Sequence, residues 1–267
     1  MDDTREIPAT DLLYQRDADL RELDATVVAV DTESRSVALD QTVFFPGGGG
    51  QPSDSGTLVG TSDGQHWPVP ITRISGAVVW HELDGEDSLP EIGDAVRGEL
   101  DWDRRYRLMR MHTALHVLCG VVFRDYGALV TGGNMEPDRA RMDFEMDSAD
   151  FTPERVVEIE LRANEALAAA YDVRVRTLPR DEAFQIPDLI RTKINLLPEG
   201  IAEVRTVEIV GLDLQADGGT HVSNTREVGT LRVVGTRSKG KANKRMEIEL
   251  TAPEESVTTA SVQDENR

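Results

Sequence analysis

The chain has 267 residues, a hydrophobic fraction of 39%, 22 glycines and a formal charge of −20. That length and apolar content belong to one or two globular domains with real cores, and no apolar run approaches the roughly 20 residues a bilayer-spanning helix needs, so no membrane partner is expected. The one cysteine, Cys119, excludes an internal disulfide, and the acidic start Met1-Asp-Asp-Thr-Arg-Glu6 lacks the apolar stretch of a secretory signal, which makes the cytoplasm the expected location.

In chain order, Thr26–Val30, Ser36–Leu39, Val69–Ile74, Ala77–Trp80 and Ala95–Leu100 read as strands, punctuated by Gly, Asp, Pro and Ser. Strands at this spacing predict a small β-barrel over residues 1–100. Within it lies Phe44-Phe-Pro-Gly-Gly-Gly-Gly-Gln-Pro-Ser-Asp-Ser-Gly56. Four successive glycines let a backbone approach something closely. No Gly-Lys-Ser/Thr follows, so this is not a phosphate-binding loop. From Asp103 to about Phe123 the apolar residues Leu108, Met111, Leu115, Leu118 and Val122 recur at helical spacing. A strand is expected at 139–146. Thr152-Pro153-Glu154 then starts a second helix, with a capping threonine, proline in the first turn and an acid beside it, running to about Tyr171. Tyr171–Leu178, Glu203–Val210, Val228–Val234 and Met246–Leu250 read as strands, and 187–197 carries no clear pattern. Residues 101–252 form the expected second domain, and 253–267 an acidic, disordered tail.

Two pairs stand out. His112-Thr-Ala-Leu-His116 places two imidazoles four apart on the first helix, hence on one face. Asp217-Gly-Gly-Thr-His221 brackets a glycine turn between strands. Together they use three of the five histidines. Three neutral ligands and one anion suit zinc, while manganese, iron or nickel fit the same donors. No Glu follows His112, so the metalloprotease motif is absent.

The charge has two readings. Polyanions repel one another, which argues against nucleic acid. Yet the chain has four lysines against 49 acidic residues, a balance expected of a halophilic protein, whose salt shortens the screening length to about 3 Å at 1 M. Acidity then says nothing about the ligand. Lys239, Lys241 and Lys244 gather between Arg237 and Arg245. This is either a positive patch for an anionic partner or a solvated loop before a strand.

Five segments in order carry a resemblance: Phe45-Pro-Gly-Gly-Gly-Gly-Gln51, His112-Thr-Ala-Leu-His116, Ala140-Arg-Met-Asp-Phe144, Gly218-Gly-Thr-His-Val-Ser-Asn-Thr-Arg-Glu-Val-Gly229 and Ser238-Lys-Gly-Lys241. The chain resembles the AlaX family of free-standing alanyl-tRNA editing proteins, itself similar to the editing domain of alanyl-tRNA synthetase, over roughly residues 5 to 250. The resemblance implies an α+β protein: an N-terminal translation-factor-like β-barrel, then an α/β two-layer editing domain of the threonyl/alanyl-tRNA synthetase type, with no synthetase catalytic domain. It implies deacylation of tRNA(Ala) mischarged with serine, and with glycine, at one zinc ion per chain held by His112, His116, Asp217 and His221. No obligate protein partner is evident. Asp217 stands where the family commonly has a cysteine, and an oxygen donor leaves the ion a stronger Lewis acid, less tightly held.

The same resemblance places Thr131 against the serine hydroxyl, although a threonine before Gly132-Gly133 also reads as a plain turn residue. Gln51 and its glycines reach the site from the first domain, or merely pack against the second. Asp143 orients a ligand, or is one surface acid among many, and Arg141 shares that ambiguity. Arg237, Lys239, Lys241, Lys244 and Arg245 would contact tRNA phosphates, which set position more than sequence. The rivals are a tRNA-binding module with a structural zinc and a hydrolase of small esters. Only a tRNA ligand calls for the lysine cluster.

Overall fold

A computed structural model of the chain describes residues 6–195, 197–198, 200–240 and 242–252. Lys241 and the expected tail, 253–267, lie outside these residues. The first hundred residues hold β1 (Asp11–Leu12), β2 (Glu22–Asp31), β3 (Ser36–Leu39), β4 (Gln41–Thr42), β5 (Gly56–Gly60), β6 (His66–Val69), β7 (Ile71–Ser75), β8 (Val78–Glu82) and β9 (Ala95–Leu100). β1 and β4 pair in parallel, and the other seven form one sheet in the order β6-β5-β9-β2-β3-β8-β7, antiparallel throughout. β2 shows why. Leu23, Ala25, Val27 and Ala29 alternate inward and are buried, while their neighbours face out. Leu23, Ala25 and Val27 pack with Val37, Leu39, Phe44, Leu58, Trp67 and Val96 into one core.

The sheet is not a closed barrel. Its edges are β6 and β7, which follow one another through Pro70. Pro70 offers no N–H at the junction and Pro68 none on β6, whose ladder among the described residues runs to β5. The sheet still curls enough for Asp84 N to donate to Pro68 O at 2.9 Å. The same proline splits the single strand expected over 69–74 into two.

α1 (Trp102–Tyr126) begins at Asp101, whose side chain accepts from Arg104 N, and ends at Gly127 in the left-handed region (φ 64°). From Met111 to Val122 every residue of α1 is buried, which marks a helix enclosed on all sides rather than an amphipathic one. β10 (Val130–Met135), β11 (Arg139–Glu145), β15 (Thr230–Ser238) and β16 (Asn243–Thr251) form a second sheet in the order β10-β11-β16-β15. α2 (Pro153–Ala168) starts from the Thr152 cap and buries Ile159, Ala163 and Leu167 against α1 and β15. Fully burying a side chain the size of Ile159 or Leu167 contributes about 1.5–3 kcal/mol. β12 (Val173–Pro179), the single turn α3 (Arg180–Ala183), β13 (Glu203–Ile209) and β14 (Asp213–Ala216) follow, the three strands pairing as a small antiparallel sheet.

Five strands, β1, β4, β5, β10 and β14, fall outside the sequence expectation. β10 reads Val-Thr-Gly-Gly-Asn-Met, which locally favours a turn. It is extended because it pairs with β11, through a register shift between Val130 and Gly132. β14 is only four residues long and is held by β13. α2 stops at Ala168 rather than near Tyr171, and Ala170 takes a positive φ of 58° just beyond it.

Candidate metal centre

α1 supplies His112 and His116 from one face. β14 delivers the chain to Asp217, and the glycine turn returns His221 to the same place. The turn needs Gly219 for space, since a Cβ there would lie 2.6 Å from Gln51 Oε1 and from His112 Nδ1. The three rings cluster, with centroids 4.2 Å apart for His112–His221, 4.6 Å for His116–His221 and 5.0 Å for His112–His116. Asp217 Oδ2 lies 3.1 Å from His221 Nε2, while Oδ1 lies 3.5 Å from His112 Nε2 and 3.9 Å from His116 Nε2.

One candidate donor atom from each of the four residues lies within 4.8 Å of the others. A tetrahedral ion with bonds of about 2 Å holds its donors about 3.3 Å apart, so the spacing fits a metal. Tautomers agree. Thr220 N donates to Gln51 Oε1 at 3.2 Å, which orients that amide, so His112 must donate from Nδ1 to the same oxygen at 2.9 Å. Its Nε2 lone pair is left facing the centre. His221 Nδ1 meets Thr113 Oγ1 at 3.1 Å. His116 Nδ1 is buried without a hydrogen bond.

Burial pushes His112 down to about 4 and His221 well below the ordinary imidazole range, against the pull of Asp217. Burial alone would raise the Asp217 carboxyl, but the three surrounding histidines hold it well below the usual carboxylate range. Neutral rings and one ionised carboxylate are the forms that bind metal. Arg205 Nη1 donates to Asp217 O at 2.9 Å and Nε to Gln15 O at 3.1 Å, fixing the backbone of the carboxylate residue.

The centre opens into a cavity of about 670 Å³, walled by Gly50, Thr131, Asn134, Met142 and Lys193 together with His112, His116 and Asp217. Thr131 is on that wall, its Oγ1 donating to Asn243 Oδ1 at 3.2 Å. Gln51 lies behind His112, buried, with Nε2 donating to Thr220 Oγ1 at 2.9 Å. Asp143 turns its carboxylate to cations instead of to the four ligands. Arg245 donates to it at 2.6 and 2.8 Å, Lys239 at 3.3 Å, and Arg141 lies 3.6 Å away. The Arg245 bonds hold the Asp143 carboxyl below its ordinary range.

The basic segment divides in two. Arg237 and Lys239 are exposed and Arg245 is half-buried. Lys244 is buried, with Nζ donating to Ser238 Oγ at 2.7 Å, Gly240 O at 2.9 Å and Ser148 Oγ at 3.0 Å.

Sequence reasoning missed several neighbours of the centre. Thr113 and Thr220 were visible inside the two ligand pairs, but nothing local marks Asp213 or Arg205. Also unread was a buried ion pair that ties the glycine loop to α1. Arg105 Nε donates to both oxygens of Asp54 at 3.0 Å, Nη1 to Ala18 O at 3.0 Å and Nη2 to Val43 O at 2.5 Å. Asp54 Oδ2 also accepts from Phe45 N at 2.6 Å, and Asp54 N donates to Phe45 O at 3.0 Å, which closes the base of the loop carrying Gln51.

Comparison with known proteins shows the family. Residues 204–247 match the threonyl and alanyl tRNA synthetase second additional domain, and 17–104 match the class II (A) tRNA synthetases. The alanyl-tRNA editing protein AlaX-M of Methanosarcina barkeri is 41% identical over 239 residues, covering 89% of this chain and 97% of that protein. AlaX-M of Saccharolobus solfataricus is 38% identical over 237 residues, again 89% and 97%. The alanine–tRNA ligase of Ignicoccus hospitalis is 37% identical over 235 residues, which cover 86% of this chain but 25% of the ligase. With this identity along nearly the whole length of the AlaX-M relatives, the chain belongs to the AlaX family of alanyl-tRNA editing proteins.

Proposed function

We propose that the chain is a trans-editing deacylase that hydrolyses the ester of tRNA(Ala) mischarged with serine, and with glycine, at one zinc ion. The observation that carries this reading is the convergence of three imidazole Nε2 atoms and one carboxylate at the mouth of a cavity large enough for an aminoacyl-adenosine end. His112, His116, Asp217 and His221 hold the ion. Bound there, zinc supplies a Lewis acid that orients the aminoacyl group and activates water.

The chain's own groups do the rest. Thr131 lies on the cavity wall with its hydroxyl proton given to Asn243, which leaves the oxygen to accept from a serine hydroxyl. Gln51 orients His112 from behind, a supporting role rather than contact with substrate. Asp143 acts at a distance, by gathering Arg245, Lys239 and Arg141 beside the cavity's hairpin. Arg237, Lys239 and Arg245 then meet tRNA phosphates, with Lys241, which lies outside the described residues, in the same segment. Lys244 shapes the 238–240 turn from inside. The curled sheet within residues 1–100 is an open relative of the translation-factor barrel, and 101–252 is the editing domain.

The test is release of the amino acid from one tRNA(Ala) carrying serine, glycine or alanine, with zinc present. Serine and glycine should be released and alanine spared. Equal hydrolysis of all three, or tight tRNA binding without turnover, would overturn the proposal, the latter in favour of a binding module.

A further inference from the structure

The three imidazoles of the centre are supported unequally. His112 has an amide oxygen behind it and His221 a hydroxyl. His116 Nδ1 has no hydrogen-bond partner although it is buried. A metal taken at Nε2 obliges Nδ1 to carry the proton, and a buried N–H needs an acceptor. The acceptor in reach is Asp213 Oδ2, 3.8 Å away on a side chain with no solvent exposure. That is about 1 Å longer than a charge-assisted bond.

Asp213 is seated for this task by three neighbours. Arg191 Nε donates to Oδ1 at 3.2 Å and Gln215 Nε2 to Oδ2 at 2.5 Å, which turns Oδ2 toward His116. Arg191 is itself fixed over the Phe123 ring, 3.9 Å from its centroid. Gly120, one turn beyond His116 on α1, provides the room. A Cβ at that position would lie 2.9 Å from Asp213 Cβ and 3.1 Å from Leu212 Cγ. A buried carboxylate and a gap in the helix thus meet behind the one ring that lacks support.

We propose that Asp213 accepts the His116 Nδ1–H in the metal-loaded protein and is a positioning residue of the centre, admitted by Gly120 and held by Arg191 and Gln215. This rests on the metal site proposed above. Asp213 touches neither substrate nor ion. It fixes the tautomer and the aim of His116, and its charge makes that ring a better donor than its two neighbours.

The experiment is zinc affinity by competition with a chromophoric chelator for the full chain and for Asp213→Asn and Gly120→Ala, with nitrogen–proton correlation spectra of the histidine rings in the zinc-loaded wild type. Loss of such an outer partner typically weakens binding 10–100-fold, and Asp213→Asn should fall in that range. Gly120→Ala keeps every polar group, so it should weaken zinc through displacement alone. In the wild type the His116 Nδ1 proton should be protected from exchange and lie downfield of the His112 ring proton. A wild type that binds no zinc would defeat the metal site itself. Zinc bound with equal affinity by wild type and Asp213→Asn, or a freely exchanging His116 Nδ1 proton, would overturn the role of Asp213 and leave the metal site standing. If Asp213→Asn does not fold, the wild-type spectrum decides alone.

Discussion

Replacing Asp54 by Ala should destabilise the whole molecule and loosen the metal centre together. Both side chains of the Arg105–Asp54 pair are out of solvent. The substitution leaves the Arg105 guanidinium with only the Ala18 and Val43 carbonyls as acceptors. Removing one partner of a buried pair costs about 3–5 kcal/mol, and the orphaned Phe45 N–H adds about 1 kcal/mol or more. The expected loss is therefore about 4–6 kcal/mol, read as a shift in the urea midpoint. A double replacement, Asp54→Leu with Arg105→Met, removes the stranded charge and should recover at least half of it. Because Asp54 closes the base of the loop that brings Gln51 to His112, the single variant should also bind zinc more weakly. A loss below about 1 kcal/mol would refute the reasoning, since it would mean the pair contributes no more than a surface contact.

Gln51→Leu removes the acceptor of the His112 Nδ1–H and both contacts to Thr220. Zinc affinity, measured by chelator competition, should fall about 10–100-fold. His81 is buried and bonded to Thr42 Oγ1, and burial takes its pKa from 6.5 to about 4. Below pH 6.5 the unfolded chain binds a proton that the folded chain refuses, so the stability held above that pH is lost toward pH 4. The loss is about 3 kcal/mol at 1.36 kcal/mol per unit, and the pH slope of the urea midpoint should flatten in His81→Gln. Lys239→Met should raise KM for tRNA with little effect on the melting temperature, because its side chain is over a third exposed. Lys244→Met should instead lower the melting temperature, since it empties the interior of the 238–240 turn.

The four candidate ligands were legible because their spacing is local: a helical i, i+4 pair and a glycine turn of matching length. The curled sheet's inward alternation was legible for the same reason, as β2 shows. What lay hidden depends on contacts between distant segments. Asp213 stands nearly a hundred residues from His116 and looks like any other acid in this chain. Gln51 reads as a loop residue, and only the fold puts it behind His112. Barrel closure failed at Pro68 and Pro70, where the missing N–H groups were visible but their place at the sheet edge was not. Lys244 shows the limit of charge patterning. It counts toward a basic run in sequence, yet its Nζ points inward because strand alternation places it opposite Phe144.

The claim at the centre of this account is that His112, His116, Asp217 and His221 hold one metal ion on which editing depends. The direct measurement titrates zinc into metal-free protein while following serine release from Ser-tRNA(Ala), with His116→Ala in parallel. Activity should rise linearly to one equivalent per chain and then level, and His116→Ala should show neither tight zinc nor turnover. Full activity in metal-free protein, or turnover retained by His116→Ala, would contradict it.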